Sequence, residues 1–490
     1  MLELVVFVCG AVVMILEMVG SRILAPYLGT SIVVWTSLIG VILGCLSLGY
    51  WWGGKIADRN ATFKTLSLII LLAAVSIASV ALSKSMILDL LQSTSESVHL
   101  GSTLATLVLF APPSVLLGMV APYSVKLKMT DLDKTGRTVG SLYALSTLGS
   151  IFGTFLAGFF LIAFFGSTRI LTFLALLLVV TSFLAYRRLY PIQGAVGVLV
   201  FIVFLAVRSY DDHLARNGFH DIDTDYNRVL ITSGVDGETG RELRIMVTNP
   251  KAVQSAMYLD DTVELALDYT KFYKLAMHFR PGATRMLMLG GGGYSFPKHV
   301  LSHHPNVHMD VVELDPGVTN LARRFFALGD DPRLAIHHED ARTFLNRDHA
   351  EFDVVLADTF NSHYSIPFHL TTLEVVRRLH GILSHDGVVM MNLLSSIEGR
   401  EGRFLQALHA TFREVFPQVY LLPVANPADG MTWQNIMLVA FKSETVPSFR
   451  SADEELDRYL SHVWSKPVPR DVPILTDDHA PTDRYVLGWP

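Results

Sequence analysis

Apolar residues dominate the first two-fifths of the chain, whereas the remainder alternates between short apolar runs and polar segments. Seven apolar stretches, each close to the roughly twenty residues that a bilayer requires, occupy residues 2–21, 32–53, 65–83, 102–123, 139–164, 168–186 and 189–207. From residue 226 onward, short apolar runs alternate with helical patterns, which is typical of an α/β fold. The pattern therefore predicts an α-helical membrane bundle followed by an α/β region.

The same pattern divides the chain into four parts. Residues 1–207 are the predicted transmembrane domain, and the polar, turn-rich residues 208–225 are expected to be a linker. Residues 226–280 contain a predicted hairpin, a further strand and a helix over Leu265–Arg280. Residues 281–490 have the pattern of βαβ units. We expect a small antiparallel β-sheet followed by a Rossmann-like, doubly wound sheet.

Composition and charge support this division. Hydrophobic residues make up 51% of the chain and the mean hydropathy is +0.39, which is high for a soluble enzyme. Residues 1–207 hold 12 Lys/Arg against 7 Asp/Glu, and residues 208–490 hold 27 against 38. The first segment has neither a basic leader nor a cleavage site, so we expect it to remain as an anchor. The chain has no basic run that would indicate a nucleic-acid partner.

Positive charges in the loops predict an orientation. Nine basic residues follow the second, fourth and sixth apolar stretches, against three in the alternate loops. The basic loops are expected to be cytoplasmic, which with seven spans places residues 208–490 outside. This orientation conflicts with the cytoplasmic location that the candidate chemistry of residues 281–490 favours, so the membrane face of the C-terminal part stays open.

Glycine pairs and two ionisable residues mark the membrane region. Gly40 and Gly44, Gly49 and Gly53, and Gly149 and Gly153 are each four residues apart, a spacing that lets membrane helices pack closely. Glu17 and Arg22 lie in or near the first span, where an ionisable residue is a functional candidate. The alternative is that the pair has no other role than to anchor one helix to its neighbours.

The segment from Met286 to Glu313 predicts a nucleoside site. Four apolar residues, Met286–Leu289, fit a strand buried on both faces, and Gly290–Gly293 follow it directly. About twenty residues further on, Glu313 ends a second apolar run, where an acid accepts the ribose hydroxyls of an adenosine cofactor. The alternative is a purely structural turn.

Two further acids follow apolar runs and should lie at the same edge of the sheet. Asp340 and Asp358 come just where such runs stop. Three gathered acids suit a cationic, hydroxyl-bearing ligand better than a phosphate, which favours S-adenosylmethionine or its decarboxylated form over a dinucleotide. The histidines are not spaced as ligands on one face, and the two cysteines, Cys9 and Cys45, lie inside predicted spans, so we propose no metal.

These motifs resemble those of the spermidine synthases. From Tyr226 to Lys442 the chain is similar to that aminopropyltransferase family, and the whole chain resembles membrane-fused bacterial relatives. The resemblance implies decarboxylated S-adenosylmethionine as co-substrate, an amine or polyamine acceptor, a multi-pass protein of the bacterial inner membrane, and a homodimer. It also implies nucleoside contacts for Gly290, Gly291, Gly292, Glu313, Asp340, the Ala341 backbone and Gln254, and a catalytic base at Asp358. Asp358 could alternatively be only a helix cap.

The chain departs from the family where the acceptor amine binds. Gly293 and Asn361 replace two aspartates, Thr270 after Tyr269 replaces a His or Gln, and Asn426 replaces a tyrosine. These losses argue against putrescine as the acceptor. The Ile366–Leu370 segment resembles the version found in the fused relatives. Tyr269, Asn361, Tyr364 and His369 are the substrate candidates, and the alternative for His369 is a surface imidazole without a role.

A second resemblance concerns the membrane region. Gly54–Arg59 resembles the loop motif of the major facilitator superfamily, which implies at most half of such a transporter. Two other functions therefore stay open beside aminopropyl transfer. One is methyl transfer from S-adenosylmethionine, and the other is a membrane carrier or sensor that binds a nucleoside or polyamine without turnover.

Overall fold

A computed structural model of the chain describes residues 1–94, 98–129, 135–249, 252–347, 350–359 and 367–486. The chain forms two compact units, residues 1–217 and residues 218–490.

The first unit consists of helices. A π-helical turn over Ala157–Leu161 joins the helix Thr135–Leu156 to the short helix Ile162–Phe164, and a 3-10 turn over Arg187–Leu189 precedes the last helix. Seven helical stretches of the described residues are long and apolar enough to cross a membrane, as the hydropathy pattern predicts. The helices are α1 Leu2–Leu28, α2 Ile32–Asn60, α3 Phe63–Thr94, α4 Val98–Lys128, α5 Thr135–Leu156, α6 Ile162–Phe164, α7 Ser167–Ala185 and α8 Tyr190–Arg216.

Two of the three glycine pairs lie at helix crossings. A Cβ atom at Gly149 would lie 2.0 Å from the Phe7 carbonyl oxygen, and one at Gly153 would lie 2.4 Å from that of Ala11, so α5 packs directly on α1. Gly49 and Gly53 approach the backbone of α4 in the same way. Gly40 and Gly44 are different, because nothing lies within 4 Å of a Cβ built there. The prediction of close packing is wrong for that pair, since spacing alone does not say which face meets a neighbour.

The two ionisable candidates of the first helix have separate surroundings. The Arg22 guanidinium donates to the Ile162 carbonyl oxygen at 3.1 Å, which ties α1 to α6. Glu17 is half-buried. At the end of α2, Asp58 of the Gly54–Arg59 motif pairs with Lys126 of α4 at 2.8 Å.

The second unit begins with a four-stranded antiparallel sheet in the order β1-β2-β3-β4. Residues 208–216 continue α8, and residues 220–223 form the edge strand β1, so the expected linker over 208–225 is instead regular structure. The helix ends near Gly218, whose φ of +81° suits glycine. The strands are β1 His220–Asp223, β2 Arg228–Val235, β3 Glu242–Asn249 and β4 Ala252–Tyr258.

Between the two sheets, the helix expected over Leu265–Arg280 is divided in two. Leu265 forms an isolated β-bridge with Met257. The helices α9 Asp268–Phe272 and α10 Leu275–Phe279 follow it.

A seven-stranded sheet forms the centre of this unit, in the order β10-β11-β9-β8-β5-β6-β7. Strands β5 to β9 run parallel, whereas β11 is antiparallel to both of its neighbours. Helices connect the parallel strands, as in a doubly wound α/β fold. The elements are β5 Arg285–Leu289, α11 Ser295–His303, β6 His308–Val312, α12 Pro316–Phe325, β7 Leu334–His337, α13 Ala341–Leu345, β8 Phe352–Ala357, α14 Leu373–Ile382, β9 Leu383–Ser395, α15 Arg403–Arg413, β10 Gln418–Pro423, β11 Gln434–Phe441, α16 Glu454–Leu460 and α17 Thr482–Val486.

Both faces of this sheet are buried, as the continuous apolar run of β5 predicts. Met286 and Met288 belong to one hydrophobic core, and Leu287 and Leu289 belong to the other. Because successive strand residues point to opposite faces, each face needs its own apolar set. This arrangement leaves the carboxyl edge of the parallel strands as the place where polar side chains gather.

Candidate active site

A cavity of about 480 Å³ lies at the carboxyl edge of the parallel strands. It is lined by the glycine turn after β5, the end of β6, the residue after β8, parts of β4 and β9, and the start of β11. Three of the described lining residues are acids, and the described lining contains no Lys or Arg. The acids are Asp268, Glu313 and Asp358. The arrangement favours a ligand with a positive charge.

The glycine turn brings the backbone close to the next strand. Gly290 has a φ of +93°, and a Cβ there would lie 2.3 Å from the carbonyl oxygen of Asp358. Gly292 also has a positive φ, +51°. Positive φ and close contact with another backbone both exclude larger residues. The first and third glycines are thus required by the fold of the turn itself.

Glu313 fixes the turn through its carboxylate. Oε2 accepts the backbone N–H of Gly291 at 2.8 Å and that of Gly292 at 3.3 Å, while Oε1 accepts that of Asp315 at 2.9 Å. Burial raises the pKa of Glu313, and these backbone donors oppose the shift. The carboxylate is an acceptor in the cavity wall, positioned to bind hydroxyl donors.

Asp315, two residues after Glu313, has a structural role. It is fully buried and accepts from Thr224 and Asn227, which lie between β1 and β2 of the small sheet, as well as from the N–H of Gly317. It therefore attaches the start of the small sheet to the edge that carries Glu313.

Asp358 lies at the end of β8 and lines the same cavity. Its Oδ1 accepts from Asn392 Nδ2 at 3.1 Å. Burial raises the pKa of Asp358 to about 6, and the hydrogen bonds of Asn392 and Tyr269 oppose the rise. A carboxyl group with a pKa near neutrality can accept a proton from a reacting amine.

Gln254 and Tyr269 close the cavity beside Asp358. The single proton of the Tyr269 hydroxyl has two acceptors nearby, the Gln254 carbonyl oxygen at 3.3 Å and the Asp358 carboxylate. Burial and the neighbouring Asp358 raise the pKa of Tyr269 well above its usual value. The side-chain Oε1 of Gln254 is buried, and no described residue donates to it. An unsatisfied buried acceptor is costly, so a ligand donor would stabilise it.

Asp340, Ala341 and His369 are not among the residues that line the cavity. Asp340 caps α13, with Oδ1 accepting the N–H of Thr343 at 3.0 Å. Nε2 of His369 lies 3.4 Å from Asp340 Oδ2. The structure therefore groups His369 with the expected adenine-reading acid rather than with Asp358. Asn361 and Tyr364 lie outside the described residues.

Three positions that lack the family's amine-binding groups are filled by other contacts. A Cβ at Gly293 would lie 2.9 Å from Ser255 Cβ and 3.1 Å from Phe326 Cδ1. Thr270 is buried and donates to the Leu267 carbonyl oxygen at 2.5 Å. The Asn426 side chain accepts the N–H of Ala428 at 3.1 Å. None of the three lines the described cavity.

Sequence reasoning missed several lining residues, among them Asn392, Trp433 and Asn435. Asn392 had a detectable signal, because it is a lone polar residue within the otherwise apolar run of β9. Asn435 had none, because it precedes an apolar run, and its position at the carboxyl edge depends on β11 running antiparallel.

The segment over Leu475–Pro481 packs on the unit through Asp477. Its carboxylate pairs with Arg342 of α13 at 2.7 Å and accepts from Thr372 Oγ1 at 2.6 Å. Leu475 is fully buried. Because Arg342 also donates to the His369 carbonyl oxygen at 3.2 Å, the segment supports the turn that holds His369 beside Asp340.

Comparison with known proteins gives one family match within the C-terminal unit and several partial matches to single proteins. Residues 270–447 match the spermine/spermidine synthase domain family. The polyamine aminopropyltransferase of Vibrio vulnificus strain CMCP6 is 32% identical over 172 residues, which is 34% of this chain and 56% of that protein. The eEF1A lysine and N-terminal methyltransferase of Xenopus laevis is 28% identical over 144 residues, 28% of this chain and 20% of that one.

Among solved structures, a probable spermidine synthase from Corynebacterium glutamicum ATCC 13032 matches with 23% identity and a TM-score of 0.41, covering 49% of this chain and 86% of that one. The chain spans about half the length of the curated relatives it matches, 56% for the Vibrio protein and 49% for a probable polyamine aminopropyl transferase of Bifidobacterium longum. The chain is thus similar in sequence, over part of its length, to polyamine aminopropyltransferases, and residues 270–447, which carry the glycine turn, Glu313 and Asp358, match the spermine/spermidine synthase domain family.

Proposed function

We propose that the C-terminal unit transfers the aminopropyl group of decarboxylated S-adenosylmethionine to an amine, with Asp358 as the base, and that the seven apolar helices hold it at a membrane. One observation carries the proposal: Asp358, the glycine turn and Glu313 line a single cavity. These residues lie in the part of the chain that matches the spermine/spermidine synthase domain.

The residues present fit a sulfonium nucleoside. Glu313 offers a carboxylate to the ribose hydroxyls, and the unsatisfied Gln254 Oε1 offers an acceptor to an ammonium group. S-adenosylmethionine itself carries a carboxylate, and the described lining contains no Lys or Arg to bind one. Decarboxylated S-adenosylmethionine is therefore the better match of the two.

Asp358 would act on the acceptor. The amine nitrogen attacks the aminopropyl carbon bound to sulfur, the carbon–sulfur bond breaks, and its electron pair stays on sulfur as methylthioadenosine leaves. The nitrogen loses one proton to Asp358. Since an amine is protonated near neutral pH, the site must also favour its free-base form at the moment of attack.

The acceptor is proposed to be an amine other than a common diamine. A second ammonium group requires carboxylates at the far end of the site, and Gly293, Thr270 and Asn426 supply none. Ser255 fills the space beside Gly293. An aspartate at position 293 would therefore also require a change at Ser255.

Methyl transfer is the second candidate, favoured by the sequence match to proteins named as methyltransferases. Both reactions need the nucleoside contacts of Glu313 and the glycine turn. They differ in the tail of the co-substrate and in the product.

Mass spectrometry of the products separates the two. The purified full chain is incubated with each co-substrate, an amine panel and membrane extract, and the Asp358→Asn variant is run in parallel. Methylthioadenosine together with an acceptor heavier by one aminopropyl group would support the proposal. Formation of S-adenosylhomocysteine would show that the reaction is methyl transfer. If neither product forms although the nucleoside binds, the result would favour a carrier or sensor.

A further inference from the structure

Three polar side chains from three neighbouring strands form a hydrogen-bonded chain that ends at Asp358. Asn435 Nδ2 donates to Asn392 Oδ1 at 3.0 Å, and Asn392 Nδ2 donates to Asp358 Oδ1 at 3.1 Å. Asn392 is only 7% exposed. The chain thus runs from the cavity wall at Asn435 through a buried amide to the carboxylate.

Strand directions bring these residues together. Asp358 follows β8 and Asn392 lies near the end of the parallel strand β9, so both reach the carboxyl edge. Because β11 is antiparallel to β9, its second residue, Asn435, lies at this edge and pairs in register with Leu394. The antiparallel direction of β11 therefore places the Asn435 amide at this edge.

The hydrogen bonds fix which way the Asn392 amide points. Its oxygen accepts from Asn435, so its NH₂ group must face Asp358. With the amide reversed, its oxygen would face the carboxylate and its NH₂ group would face the NH₂ group of Asn435. Both contacts would be repulsive. The carboxylate thus selects the Asn392 orientation that donates to it, and the Asn435 NH₂ group stabilises that orientation by donating to the Asn392 oxygen.

We propose that Asn392 and Asn435 are positioning residues, a two-amide relay that holds the Asp358 carboxylate in place as a ready proton acceptor. The proposal rests on the proposed function of Asp358 as the base. It assigns to the antiparallel strand β11 a part in the chemistry, because Asn435 is linked to Asp358 through the Asn392 amide.

Few other groups around Asp358 stabilise its ionised form, so the hydrogen bond from Asn392 matters. Two ionisable side chains beside it are Tyr269 and Tyr273, both protonated because burial and Asp358 raise their pKa well above the usual value. The other acids that line the described cavity, Asp268 and Glu313, supply no hydrogen-bond donor when ionised. No Lys or Arg lines the described cavity. Burial raises the pKa of Asp358 to about 6, and of the two hydrogen bonds that oppose the rise, that of Asn392 is the larger.

The test compares Asn392→Leu, Asn435→Leu and Asn435→Gln with Asn320→Leu, a control on the exposed side of α12. Loss of the donor raises the pKa of Asp358, so the acidic limb of kcat/KM should move to higher pH in Asn392→Leu. Its kcat should fall roughly tenfold to a hundredfold, the usual cost of a lost bond to a charged group. Asn435→Leu should shift the limb less, and Asn435→Gln should keep part of the wild-type profile. KM for the co-substrate should change little.

A readout without turnover makes the relay testable apart from the proposed reaction. Thermal stability of each full-length variant is measured against pH, because the titration of Asp358 appears in that profile. Its midpoint, near pH 6 in the wild-type protein, should rise in Asn392→Leu and Asn435→Leu. Identical midpoints in both variants and the wild type would overturn the relay. Asn435→Leu keeps Asn392 and so tests the relay even if Asn392→Leu does not fold. A wild type inactive on every acceptor would instead count against the proposed function.

Discussion

The backbone N–H of Gly291 donates to Glu313 Oε2 at 2.8 Å, which binds the glycine turn after β5 to the acid at the end of β6. The two features that mark a nucleoside site in the sequence are therefore in direct contact. Since Oε1 accepts from Asp315, both carboxylate oxygens are held by the backbone. The remaining acceptor positions of Glu313 are oriented before a ligand binds, which reduces the ordering cost of binding.

Replacing Glu313 by Gln should weaken nucleoside binding. The new NH₂ group would face backbone donors on one side, and only one oxygen would be left for the ribose hydroxyls. We expect a roughly tenfold to hundredfold loss of affinity for methylthioadenosine, measured by isothermal titration calorimetry. Glu339→Gln is the matched control, because Glu339 pairs with Arg347 and does not line the cavity. Equal affinity of Glu313→Gln and wild type would remove Glu313 from the nucleoside site.

The raised pKa of Asp358 predicts two opposite pH dependences. As a base it must be ionised, so kcat/KM should rise with pH through about 6. Stability should do the reverse. The pKa of Asp358 in the folded protein exceeds the unfolded value of about 3.9. Protonation of Asp358 therefore stabilises the folded protein fully below about pH 3.9, and this stabilisation is lost as the pH rises through about 6.

Asp358→Asn should therefore stabilise the protein while abolishing turnover. The neutral amide removes the buried charge, and its oxygen can accept the Asn392 hydrogen bond. We expect the free energy of unfolding to increase by about 1–2 kcal/mol at pH 8, discounted because Asp358 is only half-buried, with no gain near pH 4. Thermal melts at the two pH values measure it. If the variant is less stable than the wild type at pH 8, burial of the ionised Asp358 carboxylate does not destabilise the protein.

Much of the C-terminal unit follows from local patterns. The apolar run of β5 needs burial on both faces, and positive φ at Gly290 and Gly292 demands glycine, so strand, turn and Glu313 are each predictable from short-range rules. The expected linker shows the limit of such rules. Polar residues after Val207 continue α8 because a helix tolerates a solvent-exposed polar turn, and a hydropathy pattern does not register where such a helix stops.

The remainder of the site depends on long-range geometry. Asn435 reaches the cavity through the antiparallel insertion of β11 between β9 and β10, and Ser255 reaches Gly293 from the separate small sheet, with a hydrogen bond of 2.9 Å. His369 contacts Asp340 through a turn held by Arg342. In each case the residue's role is set by a partner distant in the chain. One sequence contains no signal for such pairings.

Introducing the family's aspartate by Gly293→Asp should not create a diamine site. The new side chain would overlap Ser255 and crowd Phe326, and overpacking of this kind costs about 1–3 kcal/mol. We expect a lower melting temperature and no gain of activity with putrescine. Combining Gly293→Asp with Ser255→Gly should recover part of the stability, because the two residues are in contact. A stable single variant that uses putrescine would refute the steric explanation for the departure.

The glycines of the helical unit supply a prediction with its control in the same sequence. Gly149→Ala places a Cβ 2.0 Å from the Phe7 carbonyl oxygen, so α5 must move away from α1, whereas Gly40→Ala meets nothing within 4 Å. If the helices lie in a membrane, close backbone approach is a main source of their packing energy. Gly149→Ala should therefore lower the melting temperature of the detergent-solubilised full chain, by the few degrees that correspond to about 1–3 kcal/mol, and Gly40→Ala should leave it unchanged. Equal melting temperatures for the two variants would mean that α1 and α5 do not pack through Gly149. A loss with Gly40→Ala alone would mean that the exposed face of α2 is a contact between copies of the chain.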